Sequence, residues 1–430
     1  MTTPKLEQFR IAIKDNGVVH LIFDAPGRTM NVFSNAAIVE LGLFAAWFAA
    51  SDARGAVIRS GKDSGFCAGA DLPEIWAATD TIAAAPEYAR FNVAYDHFFS
   101  LSLAMRALET ARKPVAAVVA GLALGGGCEL ALATHYRVLV DDPRAALGLP
   151  ESLVGLLPGA GGTQRLPRLI GLEASLPILL DGARLSGAAA LKGGLVDALA
   201  APGEEIAAAE RWLLSAPQAV QPWDRADWTP LSPADVGAVV NPLRKRTLAA
   251  TLGHYPAPLA ILDCVEFGLP QAMDGAIRSE MAIFSHLVQR REARNMIQTM
   301  FLGRTDYERL SRKGLMPDFV GKAVAAARII IAESDSEALA AAGFAGHGSA
   351  APLRARALPA YWIEENNDPR QARARAALKK IGDAVGAIAA HCSDEERRVA
   401  DYAIVREAGY PAYLGGPLTY VPSPEAASPG

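Results

Sequence analysis

Apolar and polar residues alternate over Phe9–Ile13 and again over Val18–Phe23, and Asp15-Asn16-Gly17 between them has the composition of a tight hairpin turn. A β-hairpin is therefore expected at the start of the chain. Further short β-rich runs at 55–59, 114–119, Tyr136–Val140 and 145–149 are separated by Ala/Leu-rich segments of helical period at Asn35–Ala50, 88–111 and 126–133. Strands alternating with helices predict an α/β core. Beyond residue 200 the β signal fades into helical periods at 204–214 and 235–312, interrupted by Pro and Gly. From 315 the chain is Ala/Arg-rich and helical, then Gly/Pro/aromatic over 409–420, and it ends in a Pro/Ser tail whose composition reads as disordered. The expected regions are a core over 1–200, a helical linker module over 201–315 and a helical C-terminal unit over 316–430.

Composition narrows the picture mainly by exclusion. A chain of 430 residues, 51% hydrophobic, can bury a large core in more than one compact unit. Its net charge of -4, with no Lys/Arg stripe, argues against a nucleic-acid partner. No apolar stretch is long enough to span a membrane, and the N-terminal segment lacks the apolar centre of a secretory signal, so the reading is cytoplasmic with no membrane partner. Cys67, Cys128, Cys264 and Cys392 include no CxxC pair, and the histidines include no HExxH spacing, so free thiols and no metal site are expected.

Candidate chemistry concentrates in three Gly-rich segments. In Gly121-Leu-Ala-Leu-Gly-Gly-Gly-Cys-Glu-Leu130, an apolar strand turns into a helix through three glycines, which lets backbone N–H groups approach a ligand and favours developing negative charge. Glu129 lies in the first turn of that helix in otherwise apolar surroundings, where desolvation can tune a carboxylate for proton transfer. Glu151 is the one acid in the apolar run 147–166. Two carboxylates facing one apolar cleft suit addition of water to a double bond, one activating water and the other exchanging a proton with carbon. The third segment, Gly65-Phe-Cys-Ala-Gly-Ala-Asp-Leu72, offers small residues where backbone can approach a substrate.

These segments, in this order, resemble the crotonase, or enoyl-CoA hydratase/isomerase, superfamily: FCAGADL (66–72), GLALGGGCELALATHYRV (121–138) and LGLPESLVGLLPGAGGTQRLPRLIG (147–171). APGRTMNVFS (25–34) and YPAPLAILDCVEFGL (255–269) are more specifically similar to the hydratase half of multifunctional fatty-oxidation proteins. The resemblance implies a ββα spiral core followed by helical modules, an acyl-CoA substrate and enoyl-CoA hydratase activity. It implies that Glu129 acts as base on water and Glu151 as proton donor, with an oxyanion hole from the N–H groups of Ala68 and Gly126. It also implies that Gly159 helps position the water and that Ala68, Gly69, Ala70 and Asp71 follow the coenzyme A moiety, which Arg28 contacts at a phosphate or at adenine. Homo-oligomers or association with other β-oxidation enzymes are the partners it implies. The rival readings are an enoyl-CoA isomerase or another crotonase lyase, and a noncatalytic acyl-CoA-binding or scaffold subunit.

Two features depart from the family pattern. Glu129 and Glu151 stand about two positions further apart than in the family, an extra length that a turn at 140–144 can absorb. More substantially, no nucleotide fingerprint follows the linker. The nearest is Gly346-His-Gly-Ser-Ala-Ala351 with Glu364 beyond it, and a helical run, not a strand, precedes it over 336–342, so no NAD is expected. His97-Phe98-Phe99 is similar to a dehydrogenase histidine motif but lies within a core helix and reads as packing. Residues 400–421 resemble the closing segment of a 3-hydroxyacyl-CoA dehydrogenase helical domain, and packing is their expected role.

Overall fold

A computed structural model describes residues 2–347, 361–364 and 368–420. The predicted hairpin forms from β1 (Phe9–Ile13) and β2 (Val18–Phe23), with Gly17 at φ 80 in its turn. The chain then rises through α1 (Asn35–Ala50), β3 (Gly55–Ser60), α2 (Leu72–Ala84), α3 (Glu87–Glu109) and β4 (Val115–Val119). Next come β5 (Leu122–Leu124), α4 (Gly126–Leu132), β6 (Tyr136–Val140), β7 (Ala146–Gly148), α5 (Gly162–Ile170), β8 (Arg184–Leu185) and β9 (Ala198–Ala200).

A six-stranded sheet has the order β1-β2-β3-β4-β6-β9, parallel throughout after the hairpin, and β5-β7-β8 form a smaller sheet. Each parallel step needs a crossover, which the intervening helices supply. The strand pairs β4/β5 and β6/β7 give one strand to each sheet before a helical segment follows, which is the ββα spiral. β4 reads VAAVV and is buried at every position, as a central parallel strand covered on both faces must be. Val18, Val57, Val118 and Val138 form one cluster with Ala209 and Leu213 of the Glu205–Leu214 helix. Ser34 caps α1 by accepting the Ala37 N–H at 3.2 Å.

The compact units divide differently from the expected boundaries at 200 and 315. One comprises 1–240 and 260–286, the other 241–259 and 287–430. The middle helices form no unit of their own because the Met273–Leu287 helix supplies Glu280 to the core, where it accepts N–H groups from residues 161 and 163. The second unit is helical, and its centre holds Tyr361, Trp362, Tyr410, Tyr413 and Leu414. The segment resembling a dehydrogenase terminus is spent there: Asp401 is buried and accepts from Leu418 N at 2.8 Å and Thr419 Oγ1 at 2.7 Å.

The Ser336–Ala341 segment is a helix, as expected. Residues 348–351 of the Gly-rich run lie outside the described residues, as does the Pro/Ser tail. Glu364 is buried in an ion pair with Arg291 at 3.2 Å. In α3, Phe98 packs edge-on against Phe284 with ring centroids 5.1 Å apart and Phe99 is buried, as expected of packing residues, whereas His97 of the same motif is exposed. Among the described residues, no helix is long and apolar enough to cross a membrane, and no group of His, Cys, Asp and Glu is arranged to hold a metal ion.

Candidate active site

Glycine decides how Glu129 reaches the site. Gly125, between β5 and α4, adopts φ 53 and ψ -128, a conformation costly for any side chain. A Cβ there would lie 2.7 Å from Glu151 Oε1, and one on Gly127 would lie 2.4 Å from Cys67 O. The three glycines therefore mark where the 67–69 strip, α4 and Glu151 come together. Gly125→Ala drives a methyl group into the Glu151 carboxylate and strains the turn. It is expected to lower turnover by on the order of 100-fold and to destabilise by about 1–3 kcal/mol, read from kcat and the thermal midpoint.

Glu129 is 2% exposed, and its Oε1 accepts the N–H groups of Ala160 at 2.7 Å and Gly162 at 2.8 Å. Burial raises its pKa to about 7 against the opposing pull of those N–H groups and of Arg165. Glu151 begins the short turn Glu151–Val154 after Pro150. Its Oε2 is buried without a hydrogen-bond partner, and burial followed by the Glu129 charge holds its pKa well above the usual carboxylate range. The structure thus brings both expected acids close enough for the charge of one to act on the other, with unlike surroundings.

A third acid, missed in the sequence, joins them. Glu280 is fully buried, accepts Gly161 N at 2.6 Å and Thr163 N at 3.1 Å, and is raised to about 8 by burial and then by the Glu129 charge. Its signal was an acid within the helical stripe Ala276, Ile277, Met281 and Phe284, where the period calls for an apolar residue. Behind the turn, Arg165 and Glu109 form a fully buried ion pair at 2.8 Å, and Arg165 Nη1 donates to Ala160 O at 2.5 Å. Gly159 sits one residue before the N–H groups that hold Glu129, and a Cβ on it would strike the Phe284 ring at 2.9 Å.

The 68–71 strip requires a correction. Ala68 does not offer the expected oxyanion donor, because its N–H donates to Asn31 O at 2.9 Å. Two residues on, Ala70 forms an isolated parallel bridge with Phe33, in which Phe33 N donates to Gly69 O at 2.8 Å and Asp71 N to Phe33 O at 3.0 Å. Alternation along extended backbone turns the Ala70 N–H the other way, and it has no partner among the described residues. Gly126, as first residue of α4, has no intrahelical acceptor either, and a Cβ on Gly69 would lie 3.4 Å from its nitrogen. Asp71 is likewise occupied: its buried carboxylate caps α2 through Glu74 N at 3.4 Å and pairs with Arg28, whose side chain is 46% exposed. Any phosphate reaching Arg28 competes with that pair.

The sequence profile of the family described as enoyl-CoA hydratase/isomerase matches residues 14–226. The fatty acid oxidation complex subunit alpha of Shewanella frigidimarina is 33% identical over 319 residues, covering 73% of this chain and 43% of that protein. The protein of the same name from Shewanella loihica is 36% identical over 326 residues, covering 74% and 44%. The chain spans less than half the length of these relatives. Its matched stretch carries the spiral core, the glycine turn and both carboxylates, and through that stretch the chain belongs to the enoyl-CoA hydratase/isomerase family.

Proposed function

We propose that this chain hydrates 2-enoyl-CoA thioesters to 3-hydroxyacyl-CoA. The observation that carries the reading is the contrast between two neighbouring acids. Glu129 Oε1 takes two backbone N–H groups, which favours its anion, whereas buried Glu151 Oε2 has no donor, which favours its protonated form. Like charges so close cannot both ionise freely, so one base and one acid coexist near neutral pH.

In the reaction, Glu129 removes a proton from water as the water oxygen bonds to the β-carbon. The electron pair of the double bond moves toward the thioester carbonyl, whose oxygen gains negative charge beside the N–H groups of Ala70 and Gly126. Each such donor contributes on the order of 3 kcal/mol at the transition state. Glu151 then gives its proton to the α-carbon, and exchange through solvent restores both acids. Water is added with no change in redox state, so the step involves no nicotinamide. The fatty-acid oxidation named for the relatives supports a substrate derived from a fatty acid.

A base must be ionised to act, so kcat/KM is expected to rise with pH through about 7 as Glu129 loses its proton. It is expected to fall at higher pH as Glu151 does the same. A pH–rate profile from 5 to 10 checks this, and activity that is highest at pH 5 contradicts the assignment. The direct test of function is loss of the conjugated enoyl-thioester absorbance with formation of a product heavier by one water. Folded protein that produces neither change with any enoyl-CoA in a panel of chain lengths overturns the reading.

A further inference from the structure

We propose that Glu280 is a positioning residue for Glu129, acting through the single turn 160–163 that both acids share. This inference rests on the hydratase reading. The four successive N–H groups of that turn are divided alternately: Ala160 and Gly162 donate to Glu129, and Gly161 and Thr163 donate to Glu280. The two sets of N–H groups interleave along one turn, so holding one set constrains the other. Glu129 can hold its oxygen in place only while the turn keeps its pitch, and Glu280 is the group that holds the turn's other two N–H groups.

The grip has a defined polarity. Gln164 Nε2 donates to Cys264 O at 2.8 Å and to Thr163 Oγ1 at 2.9 Å, which turns the Thr163 hydroxyl proton toward Glu280 Oε2, where it is donated. Three donors therefore converge on the Glu280 carboxylate: the N–H groups of Gly161 and Thr163 and the Thr163 hydroxyl. From the carbonyl side, Arg165 holds Ala160 O. The charged and titratable groups facing Glu280 are Glu129, Glu151, Arg165, Arg168 and the Cys264 thiol. Removing the Glu280 carboxyl takes away the acceptor that anchors the turn.

Glu280→Gln preserves shape but sets an amide NH2 against one of the turn's N–H groups, so one N–H loses its acceptor and the turn shifts. Hydration by the wild-type and variant proteins, with a thermal melt of each, tests the inference. The expected result is a folded E280Q with kcat lower by on the order of 10- to 100-fold, KM little changed, and the acidic limb of the pH–rate profile moved to higher pH, because a shifted turn weakens the Ala160 and Gly162 N–H bonds that favour the Glu129 anion. A change of stability alone, with wild-type kcat and pH profile, overturns the positioning role while leaving the hydratase reading intact. If the wild type itself hydrates nothing, the hydratase reading fails first. Should E280Q not fold, Thr163→Val decides: it keeps the buried acid but removes its hydroxyl donor. T163V is expected to lower kcat in the same direction and by less, and a folded T163V with wild-type kcat and pH profile overturns the inference.

Discussion

Glu129→Gln is expected to lower kcat for hydration by about 10²- to 10⁴-fold while leaving the protein folded. The side-chain carbonyl can still accept from Ala160 and Gly162, so the local structure survives. The NH2 that replaces the second oxygen cannot take a proton from water. Stability should move the other way. The folded pKa of Glu129 is raised to about 7 from the ordinary 4.5, so its contribution is fully present below the ordinary value and is lost as pH rises through 7. E129Q should therefore melt no lower than wild type at pH 8.5, and relatively lower at pH 4. A clear loss of stability at pH 8.5 would show that the carboxylate holds the fold and not only the chemistry.

Arg165→Met should produce the largest loss of stability of any change considered. Arg165 and Glu109 are each fully buried, and removing the guanidinium leaves a carboxylate in the core, where Arg106 at 3.4 Å is its remaining charged partner. Breaking such a pair from one side costs about 3–5 kcal/mol. The same substitution releases Ala160 O, so turnover should fall with stability. Because most of the cost is the stranded charge, the double variant R165M/E109Q should recover much of the thermal midpoint without recovering turnover. A double variant no more stable than R165M would mean that packing around the arginine, and not the unpaired carboxylate, dominates.

The spiral core was legible because its signals are local. Val18–Phe23 and Tyr136–Val140 have the bounds their apolar runs imply, and the glycines at 125–127 announce backbone contact where the structure has it. The two-residue shift from Ala68 to Ala70 was not legible, because which N–H is left without a backbone acceptor depends on pairing with Phe33, a partner far away in sequence. The ion pair of Arg28 was not legible for a similar reason: its counterion Asp71 arrives from another loop. Glu280 was hidden by distance too, since more than a hundred positions separate it from the turn it grips. Yet its place in an apolar helical stripe was a usable signal. The boundaries expected at 200 and 315 followed changes of composition, whereas the compact units follow which helix buries its face against the core.

The central claim is that Glu129 and Glu151 together add water to a conjugated thioester. The most direct measurement follows enoyl-thioester absorbance at pH 8 with wild type, E129Q and E151Q across 2-enoyl-CoAs of several chain lengths. The account predicts rapid loss of absorbance with wild type, product heavier by one water, and rates lower by about 10²-fold or more in each variant. Wild-type rates in both variants would contradict it.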